Sequence, residues 1–206
     1  MDFLGTIITL GILIFSAILH EIAHGYVAER FGDPTARLMG RLTLDPRKHI
    51  DPMMSIFLPL ILIFTGSSVI FGGAKPVLID PFNLKEGRKD VALVSLAGPA
   101  TNVLIAIIAS LLLKILPLEF TANYLLLTIA HINLLLAIFN LLPIPPLDGS
   151  KVFALLLSEK TANAYLGIGS FGMFILFLLL LNPIGGFSLN QLIFTLLSFS
   201  ERLLGL

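Results

Sequence analysis

The sequence predicts an all-α polytopic membrane protein, a bundle of about five to six transmembrane helices with a re-entrant segment and short β-strands near the cytoplasmic face. Two observations carry that prediction. Hydrophobic residues make up 56% of the 206 positions and charged residues only 13%, with a mean hydropathy of +0.98, and a water-soluble domain of that composition lacks the polar surface to cover its core. The apolar residues also fall into runs near the ~20 residues that a helix needs to cross the hydrocarbon layer. The 13 basic and 13 acidic residues balance, so there is no basic footprint and no nucleic-acid partner is expected. Cysteine is absent, which excludes disulfides and thiolate metal ligands.

Residues 3–29 form the first apolar run. Met1-Asp2-Phe3 lacks the basic region of a secretory signal, so this run reads as a retained span. Residues 30–51 are charged and carry Gly32, Pro34, Gly40 and Pro46, the marks of loops, around a β-favouring piece at Leu42-Thr43-Leu44. Residues 52–72 are apolar again but interrupted by Pro59, Gly66, Ser67 and Ser68. A second polar stretch, 73–90, opens with Ala74-Lys75-Pro76-Val77-Leu78-Ile79, which reads as extended structure. Spans are then expected at 91–116 and 121–142, a short helix at 146–158, and another span at 165–181. In the tail, 188–205, Leu189, Leu192, Ile193, Leu196 and Leu197 make a helical stripe opposite Asn190, Gln191, Thr195 and Ser198. That segment either lies on the membrane or packs within it. The whole of 1–206 reads as a single domain.

Charge bears on the segment 52–72. Arg37, Arg41, Arg47 and Lys48 precede it, and Lys75, Lys85, Arg88 and Lys89 follow it. Cytoplasmic loops carry the Lys/Arg excess, so both flanks read as cytoplasmic and the segment as re-entrant, with an ordinary span as the alternative.

The chemistry is concentrated in His20-Glu21-Ile22-Ala23-His24. Residues i and i+4 share a helix face, so the two imidazoles can meet one ion. Zinc suits them, since a catalytic zinc takes three protein ligands and keeps a fourth position for water. Glu21 is rotated about 100° from His20, which sets it beside the ion, where a carboxylate can take a proton from the attacking water. Left without partners in hydrocarbon, such residues would each cost about 2 kcal/mol or more. The best candidate for a third ligand is Asp148, in Asn140-Leu-Leu-Pro-Ile-Pro-Pro-Leu-Asp148-Gly149. The prolines at 143, 145 and 146 force non-helical backbone that can line a polar cavity. An Asp before Gly is more often a turn or cap residue, but this one falls near the same membrane face as His24, which lies roughly 9 Å of helix before Arg30. His49 reads as a solvated loop histidine, with a lid or supporting role as the alternative. His131 and Asn133, in mid-span, read as interhelical hydrogen-bonding groups. Phe171, Phe174 and Phe177 read as lipid-facing or packing residues.

With these residues in view, HEIAHG in the first span, Ser95-Leu-Ala-Gly98-Pro99-Ala-Thr-Asn102 in the third apolar segment and FNLLPIPPLDG from Phe139 to Gly149 together resemble the site-2 proteases, the intramembrane zinc metalloproteases. The resemblance covers about residues 15–155, and the chain looks like the compact prokaryotic type without a PDZ domain. It implies one catalytic zinc ion on His20, His24 and Asp148, with Glu21 as general base. It also implies roles near the scissile peptide for Asn140, whose amide is the candidate oxyanion donor, and for Pro146. Gly98, Pro99, Asn102 and Gly149 would support the site. The implied activity is that of a metalloendopeptidase cutting within or near the transmembrane segments of membrane proteins, for regulated proteolysis or clearance of remnant peptides. Its partners would be a transmembrane protein substrate and the lipid bilayer, with the multi-pass chain in a prokaryotic cell membrane and the site toward the cytoplasm. The extended pieces at 38–44 and 74–79 would pair with an unwound substrate strand. Two other classes stand beside this one. A membrane zinc transporter would carry more ligand-bearing helices and a His-rich loop than four histidines allow, and a non-catalytic membrane chaperone would not need Glu21.

Overall fold

The structure is a computed structural model that describes residues 3–50, 75–117, 119–183 and 185–206, with positions 52, 57, 60, 61 and 64. The expected re-entrant segment at 52–72 otherwise lies outside the described residues. Among those described, eight α-helices follow one another: α1 (Phe3–Arg30), α2 (Thr35–Leu38), α3 (Arg88–Ile115), α4 (Phe120–Asn140), α5 (Asp148–Phe153), α6 (Glu159–Leu166), α7 (Gly169–Leu181) and α8 (Leu189–Leu204). Three of them, α1, α3 and α4, are each long and apolar enough to cross a membrane.

These three pack on one another. The buried face of α3 runs through Ser95, Gly98, Asn102, Ala106 and Ala109, spaced by three or four residues and small at nearly every step. Ala130 on α4 meets Ala106 and Ala109. Lipid is as apolar as leucine, so close approach of small side chains, rather than burial from water, holds such helices together. The outward faces bear Leu4, Ile7, Phe15, Leu104, Ile108, Leu111 and Phe120, all exposed, as lipid contact requires.

The C-terminal part departs from expectation. The span expected at 165–181 is broken at Gly167 and Ile168, so that α6 and α7 meet at 69° and form at most one bent crossing. Ser158 caps α6 by accepting from Thr161 N–H, and Ser188 caps α8 by accepting from Gln191 N–H. The tail packs within the bundle: Leu189 and Ile193 join Leu142, Leu147, Leu176 and Leu180 in one cluster, and Leu197 joins the α3–α4 interface. Phe171 and Phe174 are exposed.

Loops cover the other end of α1. Asp33, fully buried, accepts from Thr35 N–H, Asp80 N–H and the Asn83 amide, which ties the turn after α1 to residues 80–83. Burial pushes its carboxyl up, but the bonds from Thr35, Asn83 and Asp80 outweigh this and hold it below the usual carboxylate range. Among the described residues none lies in a β-strand pair at 38–44 or 75–80; 42–43 is a bend, while 75–80 runs without helix or turn. His49 is 1% exposed rather than solvated. Its Nε2 lies 2.8 Å from Thr43 O, and its carbonyl accepts from Lys75 N–H. The loop turns inward because Asp45 caps the turn at Pro46–Lys48, accepting from Arg47 N–H.

Candidate metal centre

His20, Glu21 and His24 project from little more than one turn of α1, with ligand atoms within 4.8 Å of one another. Asp148, the first residue of α5, meets them from across the bundle. Its Oδ2 is 3.1 Å from His20 Nε2 and 3.2 Å from His24 Nε2. Donor atoms about 2.0–2.1 Å from a tetrahedral zinc stand about 3.3 Å apart, so the carboxylate oxygen stands from each imidazole nitrogen at about the edge of a zinc tetrahedron. His20, His24 and Asp148 are 5%, 6% and 8% exposed. Two imidazoles and one carboxylate are a donor set suited to a hydrolytic zinc, which takes three protein ligands and a water.

The groups behind the donors aim them. His24 Nδ1 lies 2.7 Å from Val94 O. A carbonyl only accepts, so Nδ1 carries a proton and Nε2 is the nitrogen that would ligate an ion. His20 Nδ1 lies 2.6 Å from Asn102 Oδ1. Asp148 Oδ1 accepts from Lys151 Nζ at 3.1 Å, one turn along α5, which leaves Oδ2 for the imidazoles.

Three glycines make the approach possible. A Cβ on Gly98 would stand 2.5 Å from His20 Nε2, so α3 can lie against that ring only without a side chain there. On Gly149 it would stand 2.1 Å from Leu141 O, and this contact lets the proline-rich turn fold α5 back onto the end of α4. On Gly25 it would meet Ala36 and Leu42, which shows how closely the loops settle on α1 just beyond His24.

Glu21 has a different neighbour. Its Oε2 accepts from Val77 N–H at 2.7 Å, so the segment 75–80 passes beside the metal-ligand cluster. Pro99 is buried beside Gly98. Asn140 is half-buried, and its amide donates to Leu136 O of its own helix. Pro146 is exposed. The structure thus brings together His20, His24, Asp148, Glu21, Gly98 and Asn102, while Asn140 and Pro146 stand apart from that hydrogen-bonded cluster among the described residues. His131 pairs with Glu201 of α8 at 2.6 Å, and Asn133 bonds to Asn102 and Ser16, so both are interhelical groups.

Lys151, Val94 and Val77 escape a reading of the sequence. Lys151 carried a signal, its i+3 spacing from Asp148 on a helix. Val94 and Val77 act through backbone atoms, for which side-chain identity gives no sign.

Comparison with known proteins agrees with this geometry. The profile of peptidase family M50 matches residues 6–119 and 117–181. The chain is 36% identical over 186 residues to YwhC of Bacillus subtilis, covering 86% of this chain and 81% of the relative, whose name carries the words zinc metalloprotease. It is 34% identical over 170 residues to Rip2 of Mycobacterium tuberculosis, named with the same words, covering 82% of this chain and 64% of that protein. A Methanocaldococcus jannaschii protein, MJ0611, also so named, is 36% identical over 139 residues, 66% of this chain and 63% of its own length. No solved structure matches the chain.

Proposed function

The chain belongs to peptidase family M50 and is a zinc metalloprotease, and from that premise we propose that it is an intramembrane endopeptidase cutting within or near transmembrane segments of membrane-protein substrates. The observation that carries the reading is the spacing of His20 Nε2, His24 Nε2 and Asp148 Oδ2, made partly by a helix apolar enough to cross a bilayer.

Zinc held by these three residues would polarise the scissile carbonyl and lower the pKa of water toward neutrality. Glu21 takes the proton released as water attacks and returns it to the leaving amine. Val77 N–H, bonded to Glu21 Oε2, holds that carboxylate in one orientation, so its other oxygen is available for the proton. A hydrogen bond to the developing oxyanion would come from the Asn140 amide, after it releases Leu136 O. Pro146 would contact substrate near the scissile bond. A substrate helix hides its peptide groups and must unwind before attack. The segment 75–80, already extended beside Glu21, offers backbone groups to the unwound strand. His24 lies six residues before Arg30 on α1, so the site is shallow and water reaches it from the face where Arg37, Arg47, Lys85 and Lys89 gather. We take that face as cytoplasmic.

The decisive experiment uses the purified full chain and a single-span substrate in lipid vesicles. Cleavage should stop with a zinc chelator, and in Glu21→Gln it should fall by about 10²–10⁴-fold while zinc stays bound. Cleavage by Glu21→Gln at the normal rate would sink the mechanism. Zinc flux across the vesicle wall without cleavage would favour a transporter instead. Single cysteines at positions 48 and 85, in a chain that has no other, should both react from one side of sealed vesicles if residues 52–72 re-enter.

A further inference from the structure

Behind His20 the bundle holds a buried run of polar side chains that the proposed mechanism does not use. Asn133, on α4, is 0% exposed. Its Nδ2 donates to Ile129 O at 2.8 Å and to Ser16 Oγ at 2.9 Å. Its Oδ1 accepts from Asn102 Nδ2 at 2.8 Å. Asn102, on α3 and also 0% exposed, turns its Oδ1 to His20 Nδ1 and brings Nδ2 to 3.5 Å from Ser16 O.

The order of donors and acceptors along this run is forced. A primary amide has one accepting and one donating end, and nothing intrinsic decides which way it turns. Ile129 O is a backbone carbonyl and can only accept. Asn133 must therefore give it the NH2 end, which points the Asn133 carbonyl at Asn102. Asn102 must answer with its own NH2, which points its carbonyl at His20. His20 Nδ1 must then carry a proton, so that an ion taking its place between Nε2 and Asp148 Oδ2, which stand 3.1 Å apart, meets the nitrogen that is free to ligate. Reversing either amide would set an N–H against Nδ1 and move the ring proton to Nε2, where it would block ligation.

We infer that Asn133, anchored by the Ile129 carbonyl and Ser16, is a positioning residue for the metal centre, acting through Asn102 to hold His20 in the Nδ1–H tautomer that leaves Nε2 free for the ion. The inference rests on the zinc reading of His20. His24 provides an internal control. Its Nδ1 meets the Val94 carbonyl directly, so its tautomer does not depend on Asn133. A role confined to gluing helices together would give no reason for the two histidines to differ.

The test is made on the metal-free full chain in detergent micelles, with 15N-labelled histidine, at about pH 9, well above the ordinary imidazole range, and with Asp148→Ala in every NMR sample so that no Asp148 carboxylate competes for the proton at either Nε2. Long-range ring 1H–15N correlations report which nitrogen of each ring is protonated. In the parent protein His20 and His24 should both be Nδ1–H. In Asn133→Leu, His20 should move to Nε2–H or a mixture while His24 stays Nδ1–H, and zinc affinity measured by chelator competition should fall by about 10- to 100-fold. Asn133→Ala removes the amide without adding bulk and carries the same expectation, should the leucine variant not fold. A folded variant in which His20 keeps its Nδ1 proton, or in which both histidines change together, overturns the proposal. The readout needs neither metal nor substrate, so a parent protein that fails to cleave would overturn the proteolytic reading and leave this one standing.

Discussion

In the bundle of α1, α3 and α4 the buried faces are built from Gly98, Ala106, Ala109 and Ala130, with Ser16, Asn102 and Asn133 bonded across them, whereas α7 and α8 meet through Leu176, Leu180, Leu189 and Ile193. Both regions exclude solvent and lipid, but by different means. Small residues let helix backbones approach until short polar side chains reach one another, and each such bond fixes a rotation and a register. Large aliphatic residues fill volume and tolerate small shifts, because dispersion has no direction. The site is carried by the first kind of packing because a metal tolerates little displacement of its ligands. The second kind holds the flank, where only the enclosure of α4 and α5 is required.

The contrast can be broken from either side. The largest effect is expected from Gly98→Ala, whose Cβ would press on the His20 ring; zinc affinity should fall by about 100-fold, read by chelator competition, with helicity by circular dichroism unchanged. Next, Leu176→Ala should cost about 2 kcal/mol of stability, the low end for a buried leucine because lipid competes for the apolar surface. Thermal unfolding measures it, and zinc affinity should stay at the parent value; a matching loss of affinity would erase the distinction between the regions. Lys151→Met frees Asp148 Oδ1 and should weaken zinc binding about tenfold.

The smallest effect is expected at Asp33, which belongs to neither packing region. Its carboxyl is held below the ordinary range, with burial opposing and the bonds from Thr35, Asn83 and Asp80 prevailing. A lowered folded-state pKa contributes stability that is fully present above about pH 4 and is lost as pH falls through the folded value. Asp33→Asn should therefore cost about 1 kcal/mol at neutral pH and flatten the acid limb of the stability curve below about pH 4. An unaltered acid limb would show that the staple between the turn after α1 and residues 80–83 contributes nothing.

The spans at α1, α3 and α4 were legible because hydrocarbon demands about 20 apolar residues in a row and the sequence supplies them. The helical spacing of His20 and His24 was legible for a similar reason, since residues four apart on a helix share a face. Other features were overlooked or depended on distant parts of the chain. The bend falls at Gly167-Ile168-Gly169-Ser170-Phe171-Gly172, a helix-weakening run that the reading of 165–181 as one apolar span passed over. The inward turn of the His49 loop, by contrast, is tied to Lys75, 26 positions further on, whose N–H bonds to the His49 carbonyl.

Sequence by itself determined which helices can enter a membrane, which residues can ligate zinc, and which carboxylate stands beside them. Tertiary structure alone decided how far apart the ligands stand, which nitrogen of each imidazole faces Asp148, and that Val77 N–H holds Glu21. The physical reason is range. Apolar run length and helical periodicity are local properties, written residue by residue. A ligand spacing or a hydrogen-bond direction is set by backbone carbonyls, amides and missing Cβ atoms brought together from segments 56 to 128 positions apart, as with Glu21 and Val77 or His20 and Asp148.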